Sequence, residues 1–205
     1  MPSVHGLWSF VVVSLVMAGS SLGPDLLQAQ AGAKGDPKLT PELLAVRTAL
    51  DKYRDPVLAV HDGYFSTLAC LEFSKGSSGH GDMDYQPGAM GIHFLNPAAI
   101  GPKLDPMKPQ VLLYEQVGDK LQLTGAEWFM PTQVSKVPPT IFGQKLQGPM
   151  EGHEPVLPRA LHHWDLHVWL WKSNPNGLFS PTNAAVKCPK GPYMIDEMPP
   201  KMVTP

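Results

Sequence analysis

The residues best suited to chemistry lie in one run, His162-His163-Trp164-Asp165-Leu166-His167-Val168-Trp169-Leu170-Trp171. Read with a period of two, Trp164, Leu166, Val168 and Leu170 fall on one side, and His163, Asp165, His167, Trp169 and Trp171 on the other. Aromatic and β-branched enrichment favours a strand, although a helix would also group His163 with His167 at i,i+4 spacing. Neutral imidazole and carboxylate suit Zn²⁺ or a similar divalent ion, and they also make a general acid/base pair. Along a strand His163 and His167 stand about 13 Å apart, each about 7 Å from Asp165. Asp165 with one histidine is therefore the workable core, and the other histidine binds separately or supports it by a hydrogen bond.

Further ligands must come from other segments, and two candidates stand out. His93 follows the glycines of Gly88-Ala89-Met90-Gly91-Ile92-His93, which let a backbone or ligand come close, and a regular strand points it opposite to Met90, Ile92 and Phe94. Glu127 lies in a hairpin made of Val111–Gln116, a Gly118-Asp119 turn and Leu121–Phe129. A two-residue turn sets Tyr114 opposite Leu123 and Leu112 opposite Gly125. That register puts Glu127 on one face with Leu112, Tyr114, Leu121, Leu123 and Phe129, where a carboxylate is costly unless paired or bound to a metal. Glu115, on the other face, reads as a solvated cross-strand partner.

The candidate metal ligands are thus His93, Glu127, His163, Asp165 and His167. Copper is a lesser variant, because Met90 faces away from His93 and the other methionines read as gap fillers. His61 reads as an ordinary surface or core residue, and His153, between Gly152 and Glu154, as a weak ligand candidate. Two other readings of the cluster stay open. It can be a satisfied polar network in a structural or oligomer-forming protein, or the acid/base pair of a metal-free hydrolase or isomerase, although no Gly-x-Ser-x-Gly nucleophile signature is present. Trp169 and Trp171 share the polar side and could wall a pocket for a small organic ligand.

The elements that must hold these groups are legible in outline. Thr40 and Pro41 start a helix with an apolar stripe of Leu43, Val46, Leu50 and Tyr53. Pro56 ends it, and Asp55 caps a second short helix closed by Gly63. Residues 74–88 read as a solvated Gly/Ser-rich loop with His80, Asp82 and Asp84. Residues 131–158, rich in Pro and Gly, read as a long loop covering the domain. Nineteen Gly and 23 Pro in 205 residues favour short strands joined by irregular loops over a helical bundle. The fold class is α+β: two N-terminal helices on an antiparallel sheet that can curl towards a barrel.

The chain reads as one domain over residues 39–190, preceded by a leader at 1–31 and a flexible linker at 32–38, and followed by an irregular tail at 191–205. The first 31 residues carry no Lys or Arg, an apolar core from Leu7 to Met17 and the small-x-small triplet Ala29-Gln30-Ala31, the pattern of a cleaved export signal. The apolar run is too short to span a bilayer. An oxidising compartment then joins Cys70 to Cys188, the two cysteines present. A net charge of −2 without Lys/Arg clusters gives no footprint for nucleic acid or an anionic membrane. The partners left are a metal ion, a small molecule, or a second copy of the chain.

Gly88-Ala89-Met90-Gly91-Ile92-His93-Phe94-x-Asn96-Pro97, Leu104-Asp105-Pro106-x-Lys108-Pro109, Leu113-Tyr114-Glu115 and His163-x-Asp165-Leu166-His167-Val168-Trp169-Leu170-Trp171-Lys172 are the motifs by which the chain resembles a family of exported bacterial proteins of uncharacterised function. The likeness covers most of residues 45–190. It implies a secreted or periplasmic location and carries over no catalytic role. Where that family has one His before an aromatic residue and Asp, this chain has His162 and His163.

Overall fold

Thr40 is extended and its hydroxyl accepts the Leu43 N–H at 3.3 Å, so helix α1 (Pro41–Leu50) begins where its first free donors are met. A single 3₁₀ turn, Asp51–Arg54, continues the stripe to Tyr53, and Asp55 then caps α2 (Pro56–His61) by accepting the Val57 N–H. The computed structural model describes residues 37–75, 77–80 and 83–205. The expected leader and most of the linker lie outside the described residues.

Eleven strands follow: β1 (Phe65–Phe73), β2 (Ser77–His80), β3 (Met83–Tyr85), β4 (Gly88–Leu95), β5 (Val111–Val117), β6 (Lys120–Pro131), β7 (Thr140–Ile141), β8 (Gln144–Lys145), β9 (Gln147–Met150), β10 (His163–Val168) and β11 (Met194–Asp196). Seven of them form one sheet in the order β11-β1-β4-β5-β6-β10-β9, antiparallel except for the β11–β1 pair. The α+β expectation holds, with the sheet curled into a half-barrel. In a flat sheet six spacings of about 4.8 Å would part the two edges by about 29 Å. The tail nevertheless leaves β11 at Asp196 and by Lys201–Val203 is bonded to Pro149 and Glu151 beside β9, a reach of at most about 17 Å for five residues. Only a curled sheet permits that. The tail expected to be irregular therefore supplies an edge strand and then a strap between both edges.

One side of the sheet carries Ile92, Phe94, Leu112, Tyr114, Trp128, Leu166 and Val168, packed with Leu43, Val46, Leu50 and Tyr53 of the helical segment. Each such aliphatic side chain, fully buried, contributes about 1.5 to 3 kcal/mol. The Tyr114 hydroxyl donates to the Tyr53 carbonyl at 2.7 Å, which fixes the helices to the sheet by a bond as well as by area. The other side carries the histidines and a smaller cluster of Leu71, Phe73, Tyr85, Met90 and Met150. Cys70 and Cys188 are joined, with Cα atoms 5.6 Å apart and a sequence separation of 118. Chain-entropy models put such a closure at about 4 to 5 kcal/mol.

Several expectations are corrected. The 74–88 segment contains the β2–β3 hairpin and buries Tyr85, and the 131–158 segment contains three short strands, of which β9 joins the main sheet. Glu115 is buried: its carboxylate is paired with Lys172 and accepts the Lys187 N–H at 2.9 Å, anchoring the chain beside Cys188 to β5. Met90 does not face away from His93. A bulge at Gly91, whose φ is +87°, moves it into the cluster on the histidine side.

A Cβ built on Gly91 would stand 2.4 Å from the Tyr114 carbonyl oxygen, in a backbone conformation that side chains disfavour. Gly91→Ala is expected to lower stability by at least about 2 kcal/mol in urea denaturation. A loss under about 0.5 kcal/mol would mean that β4 and β5 separate freely at this point.

Candidate metal centre

The β5–β6 hairpin decides which way Glu127 points. Near the turn its partners follow the simple two-residue register, with Tyr114 opposite Leu123 as expected, but Leu113 then pairs with Gly125 and Val111 with Glu127. Thr124 is the extra residue, and its hydroxyl donates to the Leu113 carbonyl at 3.0 Å. Such a bulge turns every later side chain of β6 to the opposite face. Glu127 and Phe129 therefore leave the face of Leu112 and Tyr114 and join His93. The β6–β10 register completes the set by placing Glu127 beside His167, Phe129 beside Asp165 and Pro131 beside His163.

The five ligand candidates share one side of the sheet but divide into two triads. In the first, His93 Nε2 and His167 Nε2 stand 3.7 and 3.6 Å from the same Glu127 oxygen, Oε2. In the second, His163 Nε2 stands 3.7 Å from Asp165 Oδ2, and His153 is the third member. Within each triad the ligand atoms lie within 4.8 Å of one another. The second oxygen of Asp165, Oδ1, faces His167 Nδ1 at 3.9 Å, so this carboxylate stands between the two groups. The strand geometry expected of β10, with its outer histidines apart and Asp165 midway, is the arrangement observed.

His153 is the residue that periodicity missed. It sits in an irregular segment, and what drives it inward is a tight fold of the chain around it. Gly152 packs so closely that a Cβ there would come within 2.1 Å of the Pro158 carbonyl oxygen, and the Leu157 N–H returns to the His153 carbonyl at 2.7 Å. Gly152 was the available signal. Glu197, from the strap, is the second residue missed: its Oε1 lies 4.0 Å from His153 Nδ1.

All six side chains of the triads are at most 6% exposed. Burial lowers the pKa of His93 and of His153 to about 3, which keeps those two rings neutral, and lowers that of His167 against the opposing pull of Asp165. The two carboxylates move in opposite directions. Burial, reinforced by the nearby Asp165 charge, pushes Glu127 well above its ordinary range. Burial pushes Asp165 up as well, but His167 and His163 outweigh it and hold the carboxyl below its usual value. Glu197 is raised by burial to about 7.

Hydrogen bonding is unmet here. Both ring nitrogens of His153 and of His167, His93 Nδ1, His163 Nε2 and Asp165 Oδ1 are buried without a protein partner. His163 Nδ1 is the exception, standing 3.0 Å from the Leu161 carbonyl; as the donor there, it leaves the Nε2 lone pair turned to Asp165. Trp169 walls the first triad, its ring roughly parallel to that of His167 at 6.5 Å, while its indole N–H donates to the Ser180 carbonyl. Trp171 does not join it. The strand ends at Val168, and the Trp171 indole N–H donates to the Asp51 carboxylate in the helical segment, so the expected two-tryptophan pocket does not form. A groove of about 370 Å³ lies near Leu68, Cys70 and Tyr193, and none of the six triad residues lines it. Comparison with family models, with curated proteins and with solved structures returned no match for this chain.

Glu127→Gln replaces a carboxyl whose ionisation burial opposes by an amide of the same shape. In chelator, the variant is expected to be within about 1 kcal/mol of the parent or more stable, read by urea denaturation. A loss above about 2 kcal/mol would show that the carboxylate is satisfied by the protein itself.

Proposed function

We propose that this is an exported protein that binds Zn²⁺ or a similar divalent ion in the buried layer of its half-barrel, through His93, Glu127 and His167, with Asp165 in support. The observation that carries the reading is the set of seven buried nitrogen and oxygen atoms in the triads that have no partner in the protein. Each such atom costs about 1 to 3 kcal/mol if nothing compensates it. A satisfied polar network would close at 2.7 to 3.2 Å. The imidazole–carboxylate separations within the triads are 3.6 to 3.7 Å, too long for hydrogen bonds. They match a different object, because ligands at about 2.0 to 2.1 Å around a tetrahedral ion stand about 3.4 Å apart. Donor chemistry agrees: imidazole with carboxylate, and no thiolate, selects zinc or another first-row divalent ion over a soft one.

The orientation of the imidazoles supports the same reading. Metal-bound histidines characteristically turn their second nitrogen to a carboxylate or carbonyl, and His167 Nδ1 faces Asp165 while Nε2 faces Glu127. Burial of the whole set favours a retained ion over turnover of a large substrate. Export is supported by the apolar run and the small-x-small triplet before residue 32, by the Cys70–Cys188 bond, and by the motif resemblance to exported proteins. No helix among the described residues is long and apolar enough to cross a membrane.

Elemental analysis of the purified protein, before and after EDTA and after re-addition of Zn²⁺, tests the proposal. Free ion at 100 times its Kd stabilises the fold by about 2.7 kcal/mol, a rise in Tm of about 5 to 10 °C for a chain of this size. Asp165→Ala is expected to lose that rise while keeping the far-UV circular dichroism of the parent. No bound ion and an unchanged Tm would overturn the reading.

A further inference from the structure

We infer that the centre holds two divalent ions, one in each triad, with Asp165 linking them; this rests on the metal-binding reading and goes beyond it in number and ligands. The donor sets are matched: His93, His167 and Glu127 in one, His153, His163 and Asp165 in the other, two imidazoles and one carboxylate each. One ion cannot take both. Atoms bound at about 2.0 to 2.2 Å to a single ion lie at most about 4.4 Å apart, and among the described residues the ligand atoms that meet within 4.8 Å of one another fall into these two sets.

His153 is the independent observation for the second position. Its side chain is 5% exposed, both ring nitrogens lack a protein partner, and its ring lies 6.1 Å from that of His163. The surrounding groups repeat the arrangement seen at the first position. His163 Nδ1 faces the Leu161 carbonyl and His153 Nδ1 faces Glu197, which leaves each Nε2 for an ion. Asp165 connects the two positions through its two oxygens. Oδ2 faces His163 Nε2 at 3.7 Å, and Oδ1 faces His167 Nδ1 at 3.9 Å, on the far side of the ring that addresses Glu127. Filling one position therefore orients a ligand of the other. The second position also explains why a histidine in an irregular segment is held at the bottom of the layer.

The test is the number of ions per chain. Full-length protein stripped with chelator and titrated with Co²⁺ is expected to reach its absorption end point at two equivalents, and elemental analysis after Zn²⁺ loading to give two ions per chain. His153→Ala is expected to fall to one, with the parent's circular dichroism retained, and His93→Ala also to one. His153→Gln provides the milder variant should the alanine form fail to fold, and the parent's titration decides the count without either. An end point at one equivalent that His153→Ala leaves unchanged would overturn the second position while leaving the single-ion reading intact. No binding at all would remove both.

Discussion

Removing ionisable groups from water is the constraint around which this molecule is arranged. One side of the sheet obeys ordinary packing, with aliphatic and aromatic side chains closed over by two capped helices. The other buries four imidazoles and two carboxylates in a layer that supplies them few partners. A small apolar cluster of Leu71, Phe73, Tyr85, Met90 and Met150 sits beside them and lowers the local dielectric further. In such surroundings an unpaired group is expensive, so whatever neutralises these six contributes to folding as well as to binding.

The surrounding protein is organised to keep that layer in place. The hydrophobic side, the 118-residue disulfide closure and the Glu115–Lys172 pair all stabilise the frame from outside the layer. Their combined effect lets the fold tolerate groups that oppose it. The division of the carboxylates shows how fine the arrangement is. Burial pushes both carboxyls up, but Asp165 has imidazoles on both sides that pull it below its ordinary range, whereas Glu127 has the Asp165 charge beside it, which adds to the upward push. Two acids of similar chemistry are thus shifted in opposite directions by position alone.

What could be read from the sequence was what a regular strand dictates. The alternation through His163, Asp165 and His167, the caps at Thr40 and Asp55, the glycines ahead of His93 and the joined cysteines all follow from local chemistry, and all are present. The suspicion attached to Glu127 was sound, but its face was not, because one extra residue at Thr124 reverses the rhythm and nothing local announces it. Met90 was misplaced for the same reason at Gly91. His153 was read only as a weak ligand candidate, and Glu197 was not singled out. They are set by loop closure and by the path of the tail, which are long-range events without a period, and the exposed role given to Glu115 failed because Lys172 and Lys187 arrive from far along the chain.

The C-terminal strap has a further consequence for how copies of this protein meet. An open sheet normally presents two rows of unpaired amides and carbonyls, and such margins invite pairing with a neighbouring chain. Here a ten-residue stretch of one tail reaches both, with Met194–Asp196 beside Cys70–Glu72 of β1 and Lys201–Val203 beside β9. Along those stretches the backbone of the margin is already engaged, so a neighbouring copy that added a strand there would first have to displace the tail.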